Sequence, residues 1–169
     1  MLKNLRNKSA GFTLIEILVV IGIIAVLAAI VLIAINPARQ FAQARDSQRD
    51  SNVNAILNAV GQYIADNKGI IDPLGIPSGD SDVPAQYGDI SSTDVDLCDF
   101  FVPDYITALP VDPTTDPDGA GSMDAGDGVD NCSAAYVTGY LIIQDSTTDR
   151  ISVLADDTEL RVPDIKVTR

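Results

Sequence analysis

The pattern of apolar and polar positions divides the chain into an apolar stretch, an amphipathic stretch and a mixed body. Residues 17–35 are nineteen consecutive uncharged residues, nearly all Ile, Leu, Val or Ala. At 1.5 Å of rise per residue, a helix of this length just crosses a hydrocarbon core of roughly 30 Å. Because the run is apolar on every face, the predicted helix must be covered on all sides by lipid or by protein.

Asn36-Pro37 ends the apolar run and predicts a break or kink, since proline lacks an amide hydrogen and crowds the preceding turn. Beyond it, the pattern predicts an amphipathic helix that ends at Lys68-Gly69, giving one long helix from about residue 12 to residue 67. Its apolar face recurs at helical spacing and contains Val53, Ile56, Leu57, Val60 and Ile64. Its polar face contains Arg45, Gln48, Asn52 and Gln62.

The remaining residues predict a small antiparallel sheet. Residues 69–133 are rich in Gly, Pro, Asp and Ser, which favours irregular structure with one or two short strands. Residues 136–143 and 150–155 are β-prone, and residues 145–149 suit a five-residue hairpin loop. Residues 160–167 predict a final strand, interrupted by Pro163. The amphipathic half of the helix would cover the apolar face of this sheet, so the predicted fold class is α+β.

Charge and composition exclude several functions. The chain carries 24 acidic and 11 basic residues, a net charge of −13, so no basic surface is expected to bind nucleic acid. It has no histidine, the commonest general acid or base and the commonest metal ligand. No pattern of catalytic residues emerges, and we expect the protein not to be an enzyme.

Three basic residues precede the apolar run and place the N-terminus on the cytoplasmic side of a membrane; they are Lys3, Arg6 and Lys8. A secretory signal peptide is one alternative, but its apolar core would be shorter and followed by a small-residue cleavage site. A simple membrane anchor is another, and it leaves Glu16 unexplained. A carboxylate in such a run costs several kcal/mol unless it is paired or reaches the membrane surface.

The residues around Glu16 resemble a known export signal. Lys8-Ser-Ala-Gly11-Phe12-Thr13-Leu14-Ile15-Glu16 is similar to the prepilin signal of type IV pilins and of the pseudopilins of type II secretion. A short basic leader, a glycine before an aromatic residue, a glutamate and an apolar helix follow one another in the same order and spacing. The resemblance implies the pilin ladle fold, a long N-terminal helix packed on a small antiparallel sheet.

The resemblance also implies a division of the chain and a role for three residues. Residues 1–11 would be the leader, 12–36 the transmembrane and filament-core helix, and 37–169 the extracytoplasmic body. A prepilin peptidase and N-methyltransferase would cut between Gly11 and Phe12 and methylate the new amine of Phe12. Glu16 would then pair with that amine, in its own chain or in a neighbouring subunit, and thereby set the register of assembly.

The implied function is a structural subunit of a type IV pilus or of a secretion pseudopilus. Before assembly, the subunit would lie in the cytoplasmic membrane with its body outside. The inner-membrane assembly machinery would then build it into a homo-oligomeric filament on the cell surface or in the periplasm. The alternative is a non-assembling, membrane-anchored binding domain, in one version dependent on calcium.

Two further sites are predicted in the body. Cys98 and Cys132 are too few for a zinc site and too far apart for a CxxC motif, so a structural disulfide is expected outside the cytoplasm. Some related pilins hold calcium in the loop before the last strands, and glycines are interspersed among the aspartates of the corresponding loop. The sequence is compatible with two interpretations of this loop, a calcium site and a solvated acidic loop. The candidate ligands are Asp112, Asp116, Asp118, Asp124, Asp127 and Asp130.

Overall fold

The computed structural model describes residues 11–34, 36–115 and 128–169. Its helices are α1 (Leu14–Ala34), α2 (Pro37–Asp66) and α3 (Cys98–Phe101), with 3₁₀ turns at Asp72–Leu74 and Pro84–Gln86. Its strands are β1 (Ser78–Gly79), β2 (Gly88–Ser91), β3 (Val137–Asp145), β4 (Ile151–Ala155) and β5 (Ile165–Thr168). An apolar N-terminal helix followed by a small sheet with helices confirms the predicted α+β class and is consistent with the pilin fold.

Pro37 begins a new helix, so the one long helix predicted over residues 12–67 is two helices in the structure. The side-chain oxygen of Asn36 accepts a hydrogen bond from the amide of Arg39 at 3.3 Å and caps α2. Proline at the first position of a helix costs nothing there, because that amide has no partner within the helix. The chain also divides into two compact units between Gln40 and Phe41.

The predicted apolar face of α2 forms one side of the core in the second unit. Val53, Ile56, Leu57 and Val60 are buried, and the partly buried Ile64 packs against them. Lys68 and Gly69 both have positive φ, and the amide of Gly69 bonds the carbonyl of Ile64 at 2.8 Å. This closes the helix where the sequence predicts.

The prediction that Asn52 lies on the polar face of α2 is wrong, because this residue is buried. Its side-chain amide donates to the carbonyl of Val111 at 3.0 Å and to the hydroxyl of Tyr140 at 2.9 Å. A buried amide with both partners satisfied is stable in a core, and helical spacing alone does not reveal such partners.

The sheet is built around β3. β4 runs antiparallel to β3, with Leu141 opposite Leu154, and β5 runs antiparallel to β4. β2 pairs antiparallel with the first part of β3, and β1 pairs parallel with its last residues, with Ser78 opposite Gln144. The sheet is therefore mixed, which corrects the purely antiparallel prediction at this edge. The long connection from β1 to β3 permits a parallel pair.

The β3–β4 hairpin loop is present as predicted. Asp145 accepts hydrogen bonds from the amides of Thr147 and Thr148 at 3.0 and 2.8 Å, and Asp149 adopts a positive φ of 57°. The last strand is shorter than predicted, since only β5 forms, after Pro163.

Gly139 allows a loop to lie against β3. Its φ is +76°, and a side chain at this position would meet the hydroxyl of Thr115 and come within 3.0 Å of the Cβ of Asp112. The amide of Asp112 bonds the carbonyl of the neighbouring Thr138 at 2.8 Å. Gly139 thus sets how closely Asp112 approaches the sheet.

We predict that Gly139→Ala destabilises the protein by roughly 2–4 kcal/mol, because it adds left-handed backbone strain to a steric clash. The midpoint of thermal unfolding of the full chain in detergent should fall by roughly 5–15 °C. Gly61→Ala is the matched control. Gly61 lies on an exposed turn of α2 with open space around it, so alanine should leave the midpoint unchanged or raise it. Equal midpoints for the two variants would contradict the role of Gly139.

Candidate functional site: the N-terminal segment and a buried ion cluster

Thr13 and Glu16 hold each other at the start of α1. The Glu16 carboxylate accepts hydrogen bonds from the amide and from the hydroxyl of Thr13, each at 2.7 Å. In return, the amide of Glu16 donates to the Thr13 hydroxyl at 3.3 Å. This reciprocal arrangement is a capping box, and it satisfies two amides that have no partner within the helix.

The capping box holds the Glu16 carboxylate at the backbone amide of Thr13, the residue directly after Phe12. This role of Thr13 was not predicted from the sequence, although Thr-x-x-Glu before an apolar run is the recognised sequence pattern of a capping box.

α1 is exposed over the part of it whose side chains the structure describes. Leu14–Leu32 is long and apolar enough to cross a membrane, and none of it is buried. Phe12 is 84% exposed, and a side chain added at Gly11 would meet nothing within 4 Å. The junction between these two residues is therefore exposed with respect to the residues that the structure describes.

One of the comparisons with known proteins finds a match, and it falls on this segment. Residues 6–32 match the family model of the prokaryotic N-terminal methylation motif. The chain carries a prepilin-type methylation signal. This is the signal of type IV pilins and pseudopilins, and it confirms the resemblance drawn from Gly11, Phe12 and Glu16. No curated protein and no solved structure matches the chain.

The methylation signal implies a pilin-like or pseudopilin subunit that is processed by prepilin peptidase, and it suggests a structural protein rather than an enzyme. Together with α1, it fits a protein that is anchored in a membrane before assembly.

A buried arginine organises the polar side of α2. The side chain of Arg49 is 1% exposed, and its guanidinium forms two hydrogen bonds with the carboxylate of Asp112, at 2.6 and 3.0 Å. It also donates to Asp46 at 2.9 Å and to Thr114 at 3.1 Å. Asp46 in turn accepts the amides of residues 159 and 160 at 3.0 and 2.9 Å. Arg49 and Asp46 thereby tie α2 to two loops of the body.

The role of Arg49 was not predicted from the sequence, although its position on α2 follows from helical spacing. Arg49 precedes Val53 by four residues and so extends the apolar face of α2 by one turn. A charge on a face that is otherwise apolar indicates a buried ion pair, and the sequence does not say which of its many aspartates is the partner.

The cluster lowers the pKa values of its carboxylates. Burial raises the pKa of Asp112, but hydrogen bonds from Arg49 and Thr114 outweigh it and hold the pKa below its ordinary value. The pKa of Asp46 is also lowered: burial raises it, but hydrogen bonds from two backbone amides and from Arg49 outweigh that effect. Because both folded pKa values lie below the unfolded ones, this stabilisation is complete above about pH 4 and is lost as the pH falls further.

Asp112 was predicted as a calcium ligand, and the structure gives it a different role. Both of its oxygens accept hydrogen bonds from Arg49, so it serves as the partner of a buried guanidinium. Asp130 lies exposed, and the other four candidates lie outside the described residues; they are Asp116, Asp118, Asp124 and Asp127. Within the described ranges, no three acidic or cysteine side chains are grouped to hold a metal ion. A calcium site in this loop stays a prediction.

We predict that Arg49→Met destabilises the protein by about 3–5 kcal/mol, because it leaves Asp112 buried without its counter-charge. The measurement is the midpoint of thermal unfolding of the full chain in detergent at pH 7. At pH 3 the gap between wild type and variant should narrow, because protonation of Asp112 removes the unpaired charge.

Arg161→Met is the matched control, since the Arg161–Asp50 pair is largely exposed and should be worth about 1 kcal/mol or less. The double variant Arg49→Met with Asp112→Leu should recover part of the loss, because it removes both charges. If Arg49→Met costs no more than Arg161→Met, the cluster does not secure α2.

Proposed function

We propose that this protein is the structural subunit of a type IV pilus or of a type II secretion-like pseudopilus. The observation that carries the proposal is the methylation motif over residues 6–32, which overlaps an apolar helix that is exposed over Leu14–Leu32. Prepilin peptidase cuts between Gly11 and Phe12, and the same enzyme class methylates the new amine. The cleaved subunits then pack through α1 into a homo-oligomeric filament.

The physical case for assembly rests on how α1 is covered. A helix apolar on every face is stable in lipid, and it leaves the membrane only if other apolar surface replaces the lipid. Copies of the same helix provide that surface. Glu16 then finds the Phe12 amine as its counter-charge, which neutralises both groups where unpaired charges are costly.

The proposal also specifies location and partners. Before assembly, the subunit spans the cytoplasmic membrane once, with residues 1–11 inside and residues 37–169 outside. Its partners are the prepilin peptidase, the inner-membrane assembly machinery and further copies of itself. The acidic body, with 16 aspartates and no Lys or Arg from residue 69 to residue 149, then faces solvent around the filament.

Cleavage is tested by the mass of the mature protein from cells that contain prepilin peptidase. We expect the loss of residues 1–11 and the gain of one methyl group on Phe12. Gly11→Val should block cleavage, because a branched side chain disfavours the extended, closely approached backbone that the peptidase needs. Gly22→Val is the matched control, since both glycines have open space in the structure and residue 22 lies beyond the cut. A mature wild-type protein that retains Gly11 would exclude this function.

Assembly is tested by shearing cells and measuring how much subunit leaves with high-molecular-weight filaments. Glu16→Ala should still insert and be cleaved, because its helix becomes more apolar, but filament yield should fall by roughly ten-fold or more as the pairing that sets register is lost. Thr13→Val is the matched control, since it removes the capping hydroxyl and keeps the carboxylate.

The outcomes of the shearing experiment separate the two functions considered. Wild-type subunit that is cleaved but never leaves with filaments would support a membrane-anchored binding domain instead. Normal filaments from Glu16→Ala would leave the pilin function standing and remove Glu16 from its mechanism.

A further inference from the structure

The buried hydroxyl of Tyr136 forms three hydrogen bonds around Cys98. It donates to the carboxylate of Asp96 at 2.7 Å and accepts from the amides of Leu97 and Cys98 at 3.2 and 3.3 Å. The Asp96 carboxylate also accepts the amide of Cys98, at 3.1 Å. The start of α3, and with it the backbone of Cys98, is therefore held by one phenol and one carboxylate.

Tyr136 is at the same time close to the other cysteine along the chain. Cys132 precedes it by four residues, and Cys98 and Cys132 are joined in the structure. The backbone of Tyr136 is held by Ser92: its amide donates to the Ser92 hydroxyl and its carbonyl accepts the Ser92 amide, both at 3.1 Å. Tyr136 is 3% exposed, and the hydrogen bonds that its hydroxyl accepts from the amides of Leu97 and Cys98 are buried away from competing water.

None of these hydrogen bonds involves a sulfur atom. They can form while both cysteines are thiols, and they bring the Cys98 backbone to the start of β3, four residues from Cys132. The disulfide and the Tyr136 contacts then favour the same arrangement. Two constraints that favour one arrangement strengthen each other by the same free energy.

We propose that Tyr136 is the positioning residue for formation of the Cys98–Cys132 disulfide, acting with Asp96 to place Cys98 before oxidation. The two thiols lose two protons and two electrons and form one S–S bond, and a disulfide-containing oxidant accepts the electrons and becomes two thiols. Tyr136 takes no part in electron transfer. It raises the effective concentration of one thiol at the other, and this inference does not depend on the proposed function.

The test is the thiol–disulfide equilibrium of the full chain in detergent with reduced and oxidised glutathione. Tyr136→Phe keeps the ring and removes the hydroxyl. We expect the equilibrium constant for oxidation by glutathione disulfide to fall about ten-fold, so that the reduction potential becomes about 30 mV less negative.

Tyr140→Phe is the matched control. Tyr140 is also a fully buried tyrosine of the same core, and its hydroxyl accepts a hydrogen bond from Asn52 rather than from the cysteine region. Tyr140→Phe should leave the equilibrium within about two-fold of wild type, whatever it does to thermal stability. Asp96→Asn keeps an acceptor for the Tyr136 hydroxyl and should fall between the wild type and Tyr136→Phe.

A second measurement reads the contact itself. In the reduced wild type, the amide of Leu97 should exchange slowly with deuterium, and in reduced Tyr136→Phe it should exchange at least about ten-fold faster because its acceptor is gone. The proposal is overturned if the two tyrosine variants shift the redox equilibrium equally, if neither shifts it, or if Leu97 is unprotected in the reduced wild type.

Discussion

The decisive constraint is that α1 is apolar on every face and that, within the part of the chain that the structure describes, none of Leu14–Leu32 is buried. Water excludes such a helix, and at about 25 cal/mol per Å² its burial outweighs any single polar contact in the molecule. Lipid or other apolar protein surface can cover it, and further copies of the helix are the protein surface that we propose. The prepilin signal lies at the start of this helix, where the proposed cleavage would turn an amide into a charged amine and give Glu16 a counter-charge.

The second unit depends on a different interaction. The guanidinium of Arg49 and the carboxylates of Asp112 and Asp46 fasten α2 to the loop that carries Asp112 and to the loop of residues 159 and 160. In a chain with a net charge of −13, a buried cation is the natural counter-charge for aspartates that the fold places inside. Removal of Arg49 or of Asp112 leaves a buried charge without a partner. The Arg49–Asp112 pair therefore specifies one arrangement of the loops more than it adds stability.

Several elements of the fold follow from local sequence patterns, whereas the contacts between distant residues do not. The apolar run, the face around Val53 and Ile56, and the β3–β4 hairpin depend on short periodicities that local sequence contains. The Arg49–Asp112 pair joins residues 63 positions apart, and β1 is a two-residue strand that pairs parallel to β3 only after a long connection. The capping role of Thr13 could be predicted from the sequence, because its spacing to Glu16 is a local pattern. The processing and assembly roles of Gly11, Phe12 and Glu16 stay predictions.

Thiol cross-linking along α1 in sheared filaments is the most direct test of whether α1 forms the filament core. Both native cysteines are joined to each other, so one cysteine introduced in turn at positions 25, 26, 27 and 28 reports alone, and these four successive positions face all sides of the helix. We predict that a short bifunctional thiol reagent links α1 to α1 between copies at one or more of these positions in filaments. Four positions that all remain unlinked in filaments would contradict it, because α1 would then not form their core.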